Sequence, residues 1–285
     1  MTLNAISGIL LFACTSVLAN AEGNAPAQLE ATVPNNVAII PIPNTAKNNY
    51  NFEQRHADIL AQKEVIRPEI VLIGDSITMG WGGPPDKGKL RPSWSLAFGD
   101  TPTLNLGFGF DLTQNVLWRL DHGEIDGLTP KTVVLLIGTN NMTGAPGSQG
   151  SNPEQTVEGI LAIIDRVKAK TPNSKIIVTA VLPRGELPTN PFRPKIAEIN
   201  ARLAKALAGR PGIKLIDIGA SFLKPDGTLP KSLMPDGTHP SEEGYGIWAK
   251  ALLVAGVRDS TPQALNHESE ESLEDFRTRI AYELE

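Results

Sequence analysis

The sequence is nearly free of cysteine, and its single copy, Cys14, lies close to the amino terminus. The surrounding residues 1–21, MTLNAISGILLFACTSVLANA, combine an apolar run with an Ala19-Asn20-Ala21 ending, which is typical of a secretory signal peptide. Cleavage after Ala21 would leave no cysteine, which excludes disulfide bonds, thiolate nucleophiles and cysteine-ligated zinc. We therefore expect an exported protein, periplasmic or extracellular, with lipid attachment at Cys14 as the alternative reading of this stretch.

Basic residues are too few to suggest a polyanionic partner. Lys and Arg number 26 against 31 Asp and Glu, a formal net charge of −5, so we expect no nucleic-acid partner. We expect no integral membrane span either, because the N-terminal apolar run is too short to cross a bilayer as a mature helix. Aromatic residues make up only 5% of the sequence and give no sign of the wide apolar rim that a lipid substrate would need.

Acidic residues are concentrated in residues 259–285, which hold eight Asp and Glu against two Arg. Four apolar residues recur in this segment at helical spacing: Leu273, Phe276, Ile280 and Leu284. The pattern predicts either a terminal helix, docked on the main domain or on a second copy of the chain, or a solvated acidic tail. The sequence leaves both the role of this tail and the choice between monomer and homodimer open.

The central residues 50–258 alternate strand-like and helix-like patterns. Five short apolar runs lack the polar alternation of a half-exposed strand: residues 69–73, 103–106, 132–137, 175–181 and 214–218. Helices are expected at about 52–63, from Asn152-Pro153 onward, around Ile196 and Leu203, and from Ser241 onward. This alternation predicts an α/β fold with a parallel sheet covered by helices on both faces. Residues 22–49 are interpreted as a linker that packs on this domain through residues 37–42.

The first apolar run, in IVLIGDSIT, ends by presenting a serine. Ligands of parallel sheets bind beyond the carboxyl ends of the strands, and Ser76, Gly107 and Asn140 each follow a predicted strand at that end. Ser76 is therefore a candidate nucleophile, although a serine in this place can also simply end a strand or cap a helix. It lacks the second glycine of the G-x-S-x-G elbow, which disfavours a standard α/β-hydrolase.

A serine nucleophile needs a base and a group that orients the base. Of the four histidines, only His239 lies in a loop-like stretch with a carboxylate nearby, MPDGTHPS, where Asp236 precedes it by three residues. The Asp-Gly turn can fold that carboxylate toward the imidazole. The alternative is a plain turn, which Lys224–Gly227 makes without a histidine.

Acyl transfer further requires hydrogen-bond donors aimed at the oxyanion. Gly107 in NLGFGF can offer its backbone N–H, or it can simply be the turn glycine that ends its strand. Asn140 in IGTNN can project its side-chain amide into the site, or it can satisfy the backbone of its own loop. Neither stretch is specific when taken alone.

Four stretches together, GDSIT, NLGFG, GTNN and DGTHPS in this order, resemble the GDSL or SGNH hydrolases over roughly residues 50–255. The segments NVLWRLDHGEI, GTNN and LPRGELPTNPFR look especially similar to the catalytic subunits of platelet-activating-factor acetylhydrolase and their bacterial relatives. The resemblance implies a flavodoxin-like three-layer α/β/α sandwich with a five-stranded parallel sheet. It also implies hydrolysis of short acyl esters without a metal or another cofactor.

For the reacting groups, the resemblance implies that Ser76 is the nucleophile, that His239 is general base and then acid, and that Asp236 orients the histidine. Asp75, beside the nucleophile, is implied to hold the loop rather than to react. The expected function is that of a secreted carboxylesterase that removes acetyl or other short acyl groups, with a small acylated compound or an acetylated glycan as substrate. A lipid or lysophospholipid esterase and a non-catalytic glycan-binding relative are the alternatives.

For the oxyanion hole, the resemblance implies three donors: the Ser76 N–H, the Gly107 N–H and the Asn140 amide. The third block commonly ends Asn-Asp, whereas this sequence reads GTNN, as the acetylhydrolase relatives do. The second block places Phe110 where those relatives often have a glycine. We expect Phe110 to narrow or line the pocket, which leaves the length of the acyl chain open.

Overall fold

The computed structural model describes residues 36–45, 51–86, 88, 90–144 and 150–258. The signal-peptide-like segment, most of the predicted linker and the acidic tail lie outside these residues. The expectations of export and of a terminal helix therefore stay predictions. None of the described helices combines the length and the apolar character that a membrane crossing requires.

The sheet contains five strands: β1 (Ile70–Gly74), β2 (Thr103–Gly107), β3 (Thr132–Leu136), β4 (Lys175–Thr179) and β5 (Ile213–Ile216). Their order is β2-β1-β3-β4-β5, and all neighbouring strands pair in parallel. Every residue of β1, β2 and β3 is buried because both faces of the sheet are covered. The predicted α/β fold with a parallel sheet is confirmed, and the predicted strands differ from the observed ones only at their ends.

Eight α-helices accompany the sheet among the described residues: α1 (Phe52–Ile66), α2 (Ser76–Met79), α3 (Pro92–Phe98), α4 (Thr113–Asp121), α5 (Thr139–Thr143), α6 (Pro153–Lys170), α7 (Arg193–Leu207) and α8 (Glu242–Val254). Local signals fix several helix starts. Asn152 caps α6 through the Gln155 N–H, and Ser241 caps α8 through the Gly244 N–H. The predicted starts of these two helices are confirmed, because a cap depends only on residues close in sequence.

Alternate residues of each strand contribute to two separate cores. Val71 and Ile73 of β1 join the core formed with α1, α4, α6 and α7. Leu72, which lies between them, joins the core formed with α2, α3 and α8 on the opposite face. In this second core, the Trp81 ring stacks on Trp248 of α8 with ring centroids 4.6 Å apart. The result is a three-layer α/β/α sandwich.

The strand β1 lies between β2 and β3, where the chain reverses its direction of travel across the sheet. Gly74, the last residue of β1, is in register with Gly107 of β2 and Leu136 of β3. Three loops therefore leave the sheet at the same level of its carboxyl edge. In open parallel sheets, ligands bind at a switch point of this kind.

Residues 36–45 pack against the domain instead of extending away from it. Ala38 is buried, and the Ile42 N–H donates to the Gln114 carbonyl of α4 at 3.2 Å. The Asn36 amide donates to the Glu158 carboxylate of α6 at 2.6 Å. This part of the predicted linker is therefore structurally a part of the domain.

Candidate active site

Ser76 occupies the first position of α2, directly after the turn that ends β1. Asp75 caps this short helix, because its Oδ1 accepts a hydrogen bond from the Ile77 N–H at 2.9 Å. The turn is so tight that a Cβ on Gly74 would lie 2.1 Å from the Thr78 hydroxyl oxygen. The glycine thus allows the chain to bend sharply and to leave the Ser76 hydroxyl above the edge of the sheet.

The Ser76 hydroxyl is hydrogen-bonded to a histidine that lies 163 residues later in the chain. The distance from Ser76 Oγ to His239 Nε2 is 2.8 Å, and that from His239 Nδ1 to Asp236 Oδ2 is 2.6 Å. With the carboxylate on Nδ1, the neutral ring carries its proton there and leaves Nε2 free to accept from the serine. The structure therefore brings the three predicted reacting groups together in one continuous chain of hydrogen bonds.

The Asp236 carboxylate is held by its own turn as well as by the imidazole. Its Oδ1 accepts the backbone N–H groups of Thr238 at 2.9 Å and His239 at 2.8 Å. Partial burial alone would raise the pKa of this carboxyl, but the hydrogen bonds from His239 and Thr238 outweigh it and lower the pKa to about 2. Asp236 is therefore ionised at neutral pH, as a group that stabilises an imidazolium must be.

The loop with Asp236 and His239 is attached to the sheet through α8 and through a neighbouring loop. The Tyr245 hydroxyl of α8 donates to the Ile77 carbonyl of α2 at 2.7 Å. The Gly185 N–H donates to the Gly237 carbonyl at 2.8 Å. These two bonds connect the histidine loop to α2 and to the segment that follows β4.

Asn140 lies just after β3, in α5, and its side chain is buried. One N–H of its amide donates to the Asp111 carbonyl at 3.0 Å. A side-chain amide has two such donors, and the second has no acceptor among the described residues. The structure thus places one amide N–H of Asn140 at the edge of the sheet where Ser76 lies.

Gly107 does not present a free N–H to this edge. Its amide donates to Asn105 Oδ1 at 2.8 Å, inside the protein. A Cβ on Gly107 would lie 2.2 Å from the Met79 backbone nitrogen, so a glycine is required because α2 packs directly on β2. The expectation that the Gly107 N–H is an oxyanion donor is therefore not supported by this geometry.

Phe110 has an unusual backbone conformation that the sequence did not lead us to expect. It adopts the left-handed backbone conformation, with φ of +63°, which few residues other than glycine take up. Its side chain is 42% exposed, and its N–H has no acceptor among the described residues. Residue 111, whose carbonyl binds the Asn140 amide, follows directly. The family resemblance held a signal for this, because Phe110 stands where that resemblance implies a glycine, and a glycine can mark a position with a positive φ.

A fully buried ion network lies below this turn. The Arg119 guanidinium of α4 donates to the Asp111 carboxylate at 2.8 Å and also contacts the Glu124 carboxylate. Burial raises the pKa of Asp111, and the Arg119 charge opposes that effect, so that the pKa is about 6. Arg119 also lies over the Phe108 ring, 4.0 Å from its centroid. The network fixes the turn that carries Phe110.

The described histidines other than His239 have partners away from Ser76. His56 Nδ1 lies 2.8 Å from a Glu124 carboxylate oxygen. The His122 ring stacks on Trp118 with the ring centroids 3.8 Å apart. His267 lies outside the described residues. His239 is therefore the only described histidine in hydrogen-bonding contact with Ser76.

Asp75 is buried directly beside Ser76. Desolvation raises the pKa of its carboxyl from the ordinary 3.8 to about 7, although the Ile77 N–H partly offsets this increase. Its Oδ2 has no hydrogen-bond partner among the described residues. Asp75 thus holds the first turn of α2 through Oδ1. Its Oδ2 is buried without a hydrogen-bond donor in the described part of the chain, which makes the ionised form of the carboxyl unfavourable.

Replacing Asp75 by asparagine is expected to change how stability depends on pH. Between about pH 4 and pH 7 the folded protein retains a proton that the unfolded chain has lost, so the free energy of unfolding decreases as pH rises through this window. An asparagine side chain cannot titrate and still accepts the Ile77 N–H, so Asp75→Asn should show a shallower decrease. Urea unfolding at about pH 4.5, 6 and 8 measures the two slopes. Equal slopes in both proteins would contradict the expectation.

The fold and the hydrogen-bonded serine, histidine and aspartate together define a class, that of hydrolases with a serine above the carboxyl edge of a parallel sheet. Comparison with known proteins gives the family. The family model of GDSL-like lipases and acylhydrolases matches residues 72–247, and the chain belongs to this family.

Relatives agree with this assignment. The chain is 36% identical over 197 residues to platelet-activating factor acetylhydrolase IB subunit alpha1 of Homo sapiens, which covers 69% of this chain and 79% of that protein. It is 33% identical over 198 residues to subunit alpha2 of Gallus gallus, with 69% and 80% covered. A GDSL-like lipase structure from Bacteroides thetaiotaomicron is similar in fold, with a TM-score of 0.57, 24% identity, and 72% of this chain and 96% of that chain covered.

Proposed function

We propose that the protein is an exported serine carboxylesterase that hydrolyses acetyl and other short acyl esters, on carbohydrate, through an acyl-enzyme on Ser76. The observation that carries this proposal is the Ser76 Oγ to His239 Nε2 hydrogen bond of 2.8 Å. It joins a hydroxyl to a base in the geometry that proton removal requires.

The reaction proceeds in two halves. Ser76 Oγ attacks the ester carbonyl carbon while His239 Nε2 takes the hydroxyl proton, and a tetrahedral oxyanion forms. The carbon–oxygen bond to the alcohol then breaks, and His239 returns the proton to the leaving alcohol. A water molecule, deprotonated by the same histidine, attacks the acyl-enzyme and releases the carboxylic acid and the free Ser76 hydroxyl. The Asp236 carboxylate, ionised at neutral pH, stabilises the imidazolium in both halves.

Three donors are available to the oxyanion. They are the backbone N–H of Ser76, the second amide N–H of Asn140 and the backbone N–H of Phe110, none of which has an acceptor among the described residues. We assign to the Phe110 N–H the role that was expected of Gly107, because the Gly107 N–H is bound to Asn105. Donors that are already in place need no reorganisation as charge develops, and they are the larger part of the rate enhancement in acyl transfer.

The names of two relatives, the Phe110 side chain and the composition of the sequence support the proposed substrate class. The names of the human and chicken relatives describe acetylhydrolases, which favours a short acyl group. The exposed Phe110 ring stands at the same edge of the sheet as Ser76 and would restrict a longer chain. A carbohydrate alcohol fits the predicted export and the small aromatic content of the sequence. The alternative substrate is a lipid ester. The alternative to an enzyme is a non-catalytic glycan-binding protein.

One experiment separates an enzyme from a binding protein. A fluorophosphonate probe should label the wild type at Ser76, as peptide mass spectrometry can show. Acetylated sugars, tested beside p-nitrophenyl esters of increasing chain length, then distinguish a carbohydrate esterase from a lipid esterase. Absence of labelling, together with absence of ester hydrolysis in a folded protein, would refute the proposed function.

Replacing Asp236 by asparagine removes the charge beside His239 and preserves the shape of the side chain. A carboxylate stabilises the imidazolium more than the neutral ring, so its loss lets the base work at lower pH. We expect the acid limb of the kcat/KM profile to move to lower pH, with a lower kcat.

The chain offers a matched control for this change. Asp226 lies in a second Asp-Gly-Thr turn, where its Oδ1 accepts the Thr228 N–H at 2.9 Å, as Asp236 accepts that of Thr238, but no histidine follows. Asp226→Asn should leave the acid limb in place. An acid limb that does not move in Asp236→Asn either would break the proposed pairing of Asp236 with His239.

A further inference from the structure

Arg184 follows β4 and lies at the same edge of the sheet as the proposed reacting groups. Its guanidinium donates to the Thr139 hydroxyl at 3.2 Å, and Thr139 is the residue before Asn140. The guanidinium also lies 5.7 Å from the centroid of the Phe192 ring, at the start of α7. This long cationic side chain is thus half-buried between the Asn140 loop and the segment that leads into α7.

The guanidinium has an incomplete set of partners. An arginine carries five N–H donors, and Arg184 uses one of them in a described side-chain hydrogen bond. No carboxylate of the described residues lies within ion-pairing distance of it. Two more deeply buried arginines do have carboxylate partners. Arg119 is paired with two carboxylates, and Arg55 is paired with Asp86.

The charge of Arg184 acts on the active site. Burial lowers its own pKa, and the nearby carboxylates of Asp75 and Asp236 act in the opposite direction. In turn, its charge lowers the pKa of Asp75, although burial of that carboxyl has the larger and opposite effect. This agrees with the hydrogen bonds, which connect Arg184 to Thr139, beside Asn140, and its neighbour Gly185 to Gly237 in the loop that carries His239.

The backbone that carries Arg184 is fixed. Arg193 donates from its Nε to the Arg184 carbonyl at 2.8 Å and from its Nη2 to the Gly185 carbonyl at 2.9 Å. The Gly185 N–H donates to the Gly237 carbonyl at 2.8 Å, and Gly237 lies in the loop that carries His239. Arg184 therefore keeps a constant position relative to the base, as a substrate-binding group needs.

We propose that Arg184 binds an anionic group on the alcohol part of the ester, and that the preferred substrate is an acylated acidic sugar whose carboxylate pairs with this guanidinium. The inference rests on the proposed esterase function and narrows its substrate. A planar guanidinium with free N–H donors suits a carboxylate or a phosphate, which it can bind through two parallel hydrogen bonds. Partial burial strengthens such a pair because less water screens it.

Binding to a hydrolysis-deficient protein tests this without depending on turnover. In the Ser76→Ala background, calorimetry compares an acetylated glucuronic acid with the glucose that is acetylated at the same position. We expect the acid to bind roughly tenfold more tightly, the size of effect that a charge-assisted hydrogen bond supplies. Adding Arg184→Gln should abolish the preference, and Arg184→Lys should keep part of it.

Three further arms complete the design. Arg210→Gln removes an arginine that pairs with Asp165 at the opposite edge of the sheet, so it should leave the preference unchanged. Acetylated glycerol phosphate against acetylated glycerol distinguishes a phosphate from a carboxylate as the bound anion. Thermal unfolding of Arg184→Gln and Arg184→Lys shows whether each variant is folded.

The outcomes separate this inference from the proposed function. Equal affinity for the acid and the neutral sugar, with no preference in the glycerol pair, would overturn the role of Arg184. So would a preference that survives in folded Arg184→Gln. Hydrolysis of p-nitrophenyl acetate by the wild type reports on the esterase function separately. Hydrolysis of this ester without any preference for an anion would support the esterase function and contradict the anion-binding role of Arg184.

Discussion

Ser76→Ala is expected to remove nearly all esterase activity and to leave the fold intact. The hydroxyl is the only group lost, and its described hydrogen bond is the one to His239 Nε2. The cap of α2 depends on Asp75 and not on the serine side chain, so the turn after β1 does not require the hydroxyl. Turnover of p-nitrophenyl acetate and far-ultraviolet circular dichroism measure the two effects. What remains should be close to the background that the oxyanion donors alone support.

Labelling by the fluorophosphonate probe is the control for this variant. Wild-type protein should react with the fluorophosphonate probe, and Ser76→Ala should not. A variant that keeps its turnover, with an unchanged dichroism spectrum, would exclude Ser76 as the nucleophile. A variant that loses both turnover and its spectrum would instead show that the serine supports the fold.

Asn140→Ala is expected to lower kcat by about 10²–10³-fold with little change in KM. In the proposed mechanism, the lost amide N–H stabilises charge that exists only in the transition state, so we expect ground-state binding to be largely unaffected. The variant also loses the hydrogen bond to the Asp111 carbonyl. Its melting temperature is therefore measured together with its kinetics. Steady-state kinetics on p-nitrophenyl acetate give the two constants.

The adjacent asparagine provides a matched comparison. Asn141 is fully buried, accepts the Thr113 N–H at 3.0 Å and donates to the Thr113 hydroxyl at 2.9 Å. Asn141→Ala should therefore lower the melting temperature, whereas Asn140→Ala should mainly lower kcat. If the loss in Asn140→Ala appears only in KM, this residue binds substrate instead of stabilising the oxyanion.

The sequence predicted the sheet well because its strands are buried on both faces. Residues such as Val71, Leu72 and Ile73 can be apolar without interruption only where helices cover each face, so their pattern is a direct consequence of the fold. The starts of α6 and α8 were predictable because Asn152 and Ser241 cap them locally. The short helix α2 was not predicted, since its four residues carry no periodic pattern.

The residues of the serine–histidine–aspartate group could be predicted from the sequence. The backbone N–H groups that are free to bind an oxyanion could not. GDSIT and DGTHPS resemble blocks of a known family, and this resemblance alone is enough to pair Ser76 with His239. Whether Gly107 has a free N–H depends on where the Asn105 side chain turns, which no local pattern encodes. The place of Arg184 depends likewise on the packing of three loops that lie far apart in the sequence.

The attachment of α8 to α2 has a consequence for how the enzyme is made. Tyr245 and Ile77 are 168 residues apart in the chain, and Ser76 and His239 are 163 apart. A chain that emerges from the ribosome amino terminus first completes β1 and its serine early, but it has no base until almost the whole domain has been synthesised. Contacts of such separation also form late, because a long loop must close first. If Ser76 is the nucleophile, as we propose, the growing polypeptide carries it without its base, and we expect ester hydrolysis only after the domain is complete.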